Sequence, residues 1–242
     1  MILTAHQPTY LPWLGLFHKI ALSDAFVFFD HVQYSKKQYY NRNTIKTQHG
    51  PLTLSVPVVT SGKSRETMLH EAMIAKNSTW RRDHWKAIEL AYRKAPYFAQ
   101  YAPFFKEVYE KDWDSLADLD RTILKKLLEF LDIKVKWLEW DDIDPHGEKS
   151  DLVLDMCVKA GCTHYIFGAQ GEEYADVQAF KDAGVTPYFQ EYKHPEYSQQ
   201  FPQLGFLPYM SVIDLLFNEG PRSKGILLSG NATREDVLAS SQ

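Results

Sequence analysis

Two hydrophobic rhythms alternate along the chain, and the places where one gives way to the other mark its elements. Met1–Ala5 (MILTA) is a short apolar run that predicts a buried strand. It stops at His6-Gln7-Pro8, where Pro8 biases Gln7 toward extended backbone. Trp13–Leu22 sets Trp13, Leu14, Phe17, Ile20 and Ala21 on one stripe and predicts a helix. Ala25–Phe29 (AFVFF) is continuously apolar, as a fully buried strand is. Strand, helix and strand in that order predict a right-handed β-α-β crossover. Asp30–Gly50 then turns polar, rich in Tyr, Lys and Asn, and reads as a functional loop or irregular hairpin. Pro51–Val59 alternates as a strand does, and Ser61–Arg65 is a basic connector.

The middle of the chain follows the helical rhythm. Asn77–Arg93 carries Trp80, His84, Ile88, Ala91 and Tyr92 at helical spacing, and Pro96 ends it for lack of an N–H. Tyr97–Glu110 and Ser115–Leu131 follow as amphipathic helices, with Ser115 and Asp118 spaced as in a capping box. Lys134–Leu138 resumes strand character, and Ser150 is placed to cap a helix over Asp151–Ala160. His164–Gly168 reads as a strand, Glu172–Ala183 as a helix and Thr186–Glu191 as a strand. Ser211 is placed to cap a last helix, with Asp214 as its capping-box partner. The expected architecture is α/β: a mostly parallel sheet with helices on both faces and a helical insertion at about residues 66–130, in a single domain spanning 1–242.

Composition narrows the function. The 242 residues carry a net charge of −4, which argues against a nucleic-acid polymer as partner because such binders neutralise phosphates with a basic surface. The sequence predicts no membrane insertion and no secretory leader, so a cytoplasmic location is expected. Two cysteines make no disulfide framework. Without CxxC, HExxH or HxxxH spacing, no metal site is expected, and the residues name no cofactor and no oligomeric state. Cys162 and His164 are a weak thiol–base pair, since no oxyanion loop accompanies them and buried Cys is usually a small hydrophobe.

Candidate chemistry gathers after the predicted strands, where open α/β sheets bind ligands. HQPTYLPWLG at 6–15 offers His6 as a general base, Gln7 as a polar contact, and Tyr10 and Trp13 as a stacking wall. DHVQYSKK at 30–37 and NRN at 41–43 offer Asp30, Lys36 and an anion clamp of Arg42 between Asn41 and Asn43. Lys36, Lys37, Arg42 and Lys46 form a local basic set that leaves a small anionic substrate open. GAQGEEY at 168–174 contributes Gly168, Gly171 and Tyr174, although an ordinary tight turn explains the same residues. HPEYSQ at 194–199 offers His194 as a second catalytic histidine, with Tyr197 and Gln199 positioning an acceptor and Asp214 orienting a histidine.

These segments, in this order, resemble the WbqC-like family of bacterial proteins over almost the whole chain. The carrying motifs are HQPTYLPWLG, SDAFVFFDHVQYSKK, NRN, GAQGEEY, HPEYSQ and SVIDLLFNEG. Two departures are Phe167-Gly168-Ala169 in place of a Ser-Gly pair and Tyr174-Ala175-Asp176 in place of Tyr-Leu-Asp. The resemblance implies a role in surface-polysaccharide or secondary-metabolite biosynthesis: transfer of an acyl or aminoacyl group to a sugar amine or similar acceptor, with a nucleotide sugar or acyl donor as substrate. The opening turn is also similar to the HIGH-type turn of nucleotidylyltransferases, though it lacks the second histidine. Magnesium-dependent nucleotidylyl transfer therefore stands as an alternative, and a non-catalytic binding protein of such a pathway as another.

Overall fold

The computed structural model describes residues 1–35, 38–59 and 67–240. Lys36, Lys37 and the Ser61–Arg65 connector lie outside the described residues. The first strand, β1 (Ile2–His6), leads into helix α1 (Leu14–Ala21) and returns as β2 (Ala25–Phe28). A hairpin of β3 (Arg42–Thr47) and β4 (Gly50–Ser55) follows. Helices α2 (Trp80–Tyr92), α3 (Phe98–Glu110) and α4 (Leu116–Phe130) come next. The chain re-enters the sheet as β5 (Lys136–Leu138), then forms the short α5 (Trp140–Ile143) and α6 (Lys149–Ala160). Strand β6 (His164–Phe167), α7 (Val177–Asp182) and β7 (Thr186–Phe189) complete the alternation. Helices α8 (Val212–Glu219), α9 (Ser223–Leu228) and α10 (Arg234–Ala239) close the chain.

Strands β5-β2-β1-β6-β7 make one five-stranded sheet, and every pairing in it is parallel. Period-two alternation divides the strands between its faces. Leu3, Ala5, Ala25, Val27, Tyr165 and Phe167 pack with Val153, Met156 and Cys157 of α6 and Phe180 of α7. Phe26 and Phe28 point the other way, into the larger core with Leu14, Phe17 and Ile20 of α1 and the insertion helices. Both faces are thus covered, as an all-parallel sheet requires. Among the described residues no helix is long and apolar enough to cross a membrane.

Several local expectations change. Of the two readings of Asp30–Gly50, the hairpin holds for its second half: Arg42 and Asn43 open strand β3 and Arg42 pairs with Ser55, while Asn41 lies just before the strand. Ser150 lies inside α6, and its Oγ accepts from the Asp176 amide at 2.8 Å instead of capping its own helix. The predicted helix over Glu172–Ala183 is split into a 3-10 turn (Ala169–Glu173) and α7, which Asp176 caps through the Ala179 amide. Ser115 does cap α4 through the Asp118 amide. Ser211 caps α8 through the Ile213 amide at 3.4 Å, but the Asp214 carboxylate turns into the core and forms no capping box.

The insertion carries a buried carboxylate without a partner. Both carboxylate oxygens of Asp120, buried in α4, have no hydrogen-bond partner. Burial pushes this carboxyl well above the ordinary value of 3.8. As pH rises past that value the unfolded chain loses the proton while the folded chain keeps it. Stability therefore falls by up to about 1.4 kcal/mol per pH unit until the folded-state value is reached. Asp120→Asn removes that slope. It is expected to exceed the wild type by on the order of 1 kcal/mol near neutral pH, and urea unfolding at pH 5 and pH 8 should show the gap widening as pH rises.

Candidate functional site

The strand order places a topological switch point at the centre of the sheet. From β1 the chain moves outward through β2 to β5, then returns to the other side of β1 and moves outward through β6 to β7. Crevices open at the carboxyl ends of the two strands flanking such a reversal. His6 ends β1, and Gly168 follows the last residue of β6. Between them lies a cavity of about 580 Å³, lined by His6, Gln7, Lys19, Lys149, Tyr165 and the Gly168–Gly171 turn, among others. A second chamber of about 330 Å³ adjoins it, with His6, Gln7, Trp13 and Gln170 lining both. Thr9, Gln38, Tyr39, Tyr40, Asn43 and Tyr209 complete the second.

The two chambers differ in charge. Lysines 19 and 149 line the first, and no Asp or Glu does. Glu172 and Glu173 point to solvent from the turn, so they do not oppose an anion there. Burial brings the Lys19 ammonium down to about 7, and its Nζ donates to the Ala5 carbonyl at 2.8 Å. Burial first, and the neighbouring Lys19 second, hold the His6 imidazole well below its ordinary value. His6 therefore keeps its lone pair at neutral pH. Among the described residues the second chamber carries no formal charge apart from what His6 would acquire.

Backbone contacts fix this rim. The Tyr10 amide donates to the Tyr39 and Tyr40 carbonyls at 3.2 Å, bringing the loop before β3 against the HQPTY turn. The Ser211 amide bonds the Thr44 carbonyl and the Val212 amide the Pro12 carbonyl, both at 2.8 Å, so the start of α8 is pinned to both. Gln190 ties the far side, its Nε2 donating to the Gly15 carbonyl at 2.9 Å. Gly15 is required for a close approach: a Cβ there would stand 2.3 Å from the Trp13 ring, which folds over the start of α1. Gly171 serves in the same way, with a Cβ reaching 2.5 Å from Phe167. The turn is glycine-rich so that it can fold back on its own strand.

Of the residues singled out from sequence, His6, Gln7, Trp13, Asn43, Gly168, Gly171 and Tyr174 meet at these chambers. Others are held elsewhere. Tyr10 is fully buried, with its hydroxyl shared between His84 Nδ1 at 2.9 Å and the Tyr109 hydroxyl at 2.5 Å, so it supplies no stacking face. Asn41 Nδ2 donates to the Val56 carbonyl, and half-buried Arg42 lines neither chamber. Asn43 Nδ2 donates to the Leu11 carbonyl at 2.7 Å. Asp30 accepts from Arg121 at 2.8 Å and from His31 at 2.9 Å, beside a separate hollow. Lys46 is buried rather than part of a basic surface, donating to the Gly205 carbonyl at 2.6 Å. Lys36 lies outside the described residues.

Asp214 orients no histidine. It accepts from the Tyr92 and Tyr197 hydroxyls at 2.9 Å and from Gln199 Nε2 at 2.8 Å. Burial raises its carboxyl despite those three donors. Gln199 also binds Lys46 Nζ and both backbone groups of Leu207, so Tyr197 and Gln199 are committed to this network. His194 bonds the Pro195 carbonyl through Nδ1 and stands behind Tyr209, 5.4 Å between ring centroids. Sequence reasoning missed Lys19, Lys149, Gln170, Tyr39, Tyr40 and Tyr209. The available signal for Lys19 was a lysine inside the otherwise apolar helix WLGLFHKIAL. Among the described residues no cluster of His, Cys, Asp or Glu is arranged to hold a metal.

An open, doubly wound parallel sheet with paired chambers at its switch point defines a rim-site α/β protein. The WbqC-like protein family matches residues 7–226, and the chain belongs to that family. It is similar to an uncharacterized protein of Mycobacterium tuberculosis, Rv1507c, with 31% identity over 227 residues, covering 91% of this chain and 95% of the relative. No solved structure matches the chain.

The Gly15–Trp13 contact is directly testable. Gly15→Ala is expected to displace the indole and destabilise the fold by about 1–3 kcal/mol, the usual range for overpacking. In the 19F NMR spectrum of 5-fluorotryptophan-labelled protein, one of the six tryptophan resonances should move far more than the rest.

Proposed function

We propose that the protein is a group transferase that moves an acyl or aminoacyl group from an anionic donor to the amine or hydroxyl of a small-molecule acceptor. One observation carries this reading: His6, neutral and half-buried, stands where two chambers meet, one lined among the described residues by lysines and no acids, the other by no charged side chain. A phosphate-bearing donor fits the first through Lys19 and Lys149, because opposite charge in a partly desolvated cavity binds strongly. The acceptor fits the second. His6 would then accept the proton of the attacking N–H or O–H as the new bond forms to the donor carbonyl. The bond to the leaving group breaks, and His6 returns the proton to it.

Anion binding, which the sequence suggested for Arg42, falls in this reading to Lys19 and Lys149. Neutral Gln7 and Gln170, shared by both chambers, suit orientation of the two ligands across the junction.

The test is turnover of purified protein with acyl-CoA, aminoacyl and nucleotide-sugar donors against amine acceptors. His6→Gln is expected to lower kcat by about 10²–10⁴, the usual contribution of a positioned general base. Unchanged turnover in that variant would overturn the assignment. A second expectation concerns pH. The Lys19 ammonium loses its proton as pH rises through about 7, so kcat/KM for the donor should decline above that point. Lys19→Arg keeps its charge and should remove that decline, read from the pH profile of kcat/KM.

A further inference from the structure

We propose that the second chamber is a pyranose-binding subsite, in which Tyr39, Tyr209 and Trp13 stack on the C–H faces of a sugar ring and the amides of Gln7, Gln38 and Gln170 meet its hydroxyls. This deepens the transfer reading by naming the acceptor class, and it rests on that reading only for the sugar's role as acceptor.

Three observations converge. First, Tyr39 and Tyr209 are 63% and 61% exposed, yet both line the cavity wall. Aromatic surface left in water at a cavity is surface that a ligand's apolar face can cover. The electron-rich ring face attracts the slightly positive hydrogens on carbon that a pyranose presents. Tyr209 is held there by an unusual backbone, with φ of 60° in a residue that is not glycine. Its ring is braced by His194 at 5.4 Å and Trp13 at 6.1 Å.

Second, besides the His6 imidazole and the Trp13 indole N–H, the polar side chains of the chamber are the amides of Gln7, Gln38, Asn43 and Gln170 and the hydroxyls of Thr9 and the three tyrosines, with no carboxylate and no ammonium among the described residues. The side-chain amides of Gln7, Gln38 and Gln170 make no hydrogen bond to another described residue. Each offers two donors and an acceptor oxygen, the pairing that vicinal hydroxyls require. Among the described residues the lining is uncharged, which suits an uncharged ring, and Lys19 and Lys149 line the neighbouring chamber.

Third, the aromatic walls are inclined. Trp13 and Tyr209 meet at 49°. A flat nucleobase stacks best between parallel faces. A puckered ring, with C–H groups pointing to both sides, fits walls set at an angle. The volume of about 330 Å³ is at the small end of ligand pockets and suits one ring.

Saturation-transfer difference NMR tests this on the full chain with no donor present. The probes are methyl glucoside, methyl glucosaminide, uridine and adenosine. The expected result is saturation of the ring C–H protons of a pyranoside. Binding should weaken about tenfold in Tyr39→Ala and in Tyr209→Ala, and Tyr209→Phe, which keeps the stacking face, should retain it. Both tyrosines are exposed, so their truncation leaves the fold intact, as circular dichroism would verify. Silent pyranosides, signals unchanged in both alanine variants, or nucleoside signals that alone depend on the two tyrosines would each overturn the proposal. Because no turnover is scored, the two readings separate. Silent pyranosides with His6-dependent transfer intact discard the subsite alone. Tyrosine-dependent pyranoside binding with no transfer from any donor keeps the subsite and discards the transfer reading.

Discussion

The architecture depends on the position of β1. It pairs in parallel with β2 on one side and β6 on the other, and the chain reaches those neighbours by routes that diverge. Two crossovers leaving in opposite directions cannot both cover the end of the strand between them. The space left there becomes a crevice, and whatever residue follows β1 stands in it. His6 and Gln7 are those residues. Their placement follows from strand order and from the burial of Ile2, Leu3, Thr4 and Ala5, whose register against both neighbours cannot slip without turning apolar side chains to the wrong face.

The rim is held by a network of mutually hydrogen-bonded polar groups. Asp214 takes three donors, and Gln199 uses its amide on four partners, including Lys46. Lys46 and Tyr92 lie far along the chain from Tyr197, Gln199, Leu207 and Asp214, so one buried network joins the hairpin, α2, the segment before α8 and α8 itself. Buried polar groups that are all paired fix a single arrangement, whereas one missing partner leaves an expensive orphan. Asp120 is the contrasting case in the same core: it sits apolar-side in α4 with no partner. One carboxylate organises the rim, and the other burdens the insertion that supports it.

The parallel sheet, its two faces, the crossover through α1 and the rim position of His6 were legible in the hydrophobic pattern, because continuous apolar runs between helical stretches admit few other packings. The directions of individual polar side chains were not. Tyr10 and Trp13 lie in one motif, yet Tyr10 enters the core and Trp13 faces the chambers. Tyrosine suits either environment, so its identity carries no direction. Lys19 sits off the apolar stripe of α1, and only the fold shows that the end of β1 closes over that side. Arg42 reads as a loop clamp because its strand is short and polar. The pairing that makes it β3 lies with Ser55, beyond the span that local pattern covers.

The same burial that lowers the proton affinities of His6 and Lys19 links them. A buried lysine loses its proton readily because charge is poorly solvated there, and an anion in the first chamber reverses that by supplying the missing opposite charge. Lys19 then regains its proton beside His6. The positive charge it acquires lowers the affinity of His6 for a proton further, the same electrostatic effect that Lys19 already exerts on that imidazole. In the proposed reaction that charge would offset part of the anion's own pull on His6, which by itself favours the protonated imidazole. One buried cation beside the strand end would thus serve both the anion and the base of the proposed reaction, with no carboxylate among the described lining residues to compete for either.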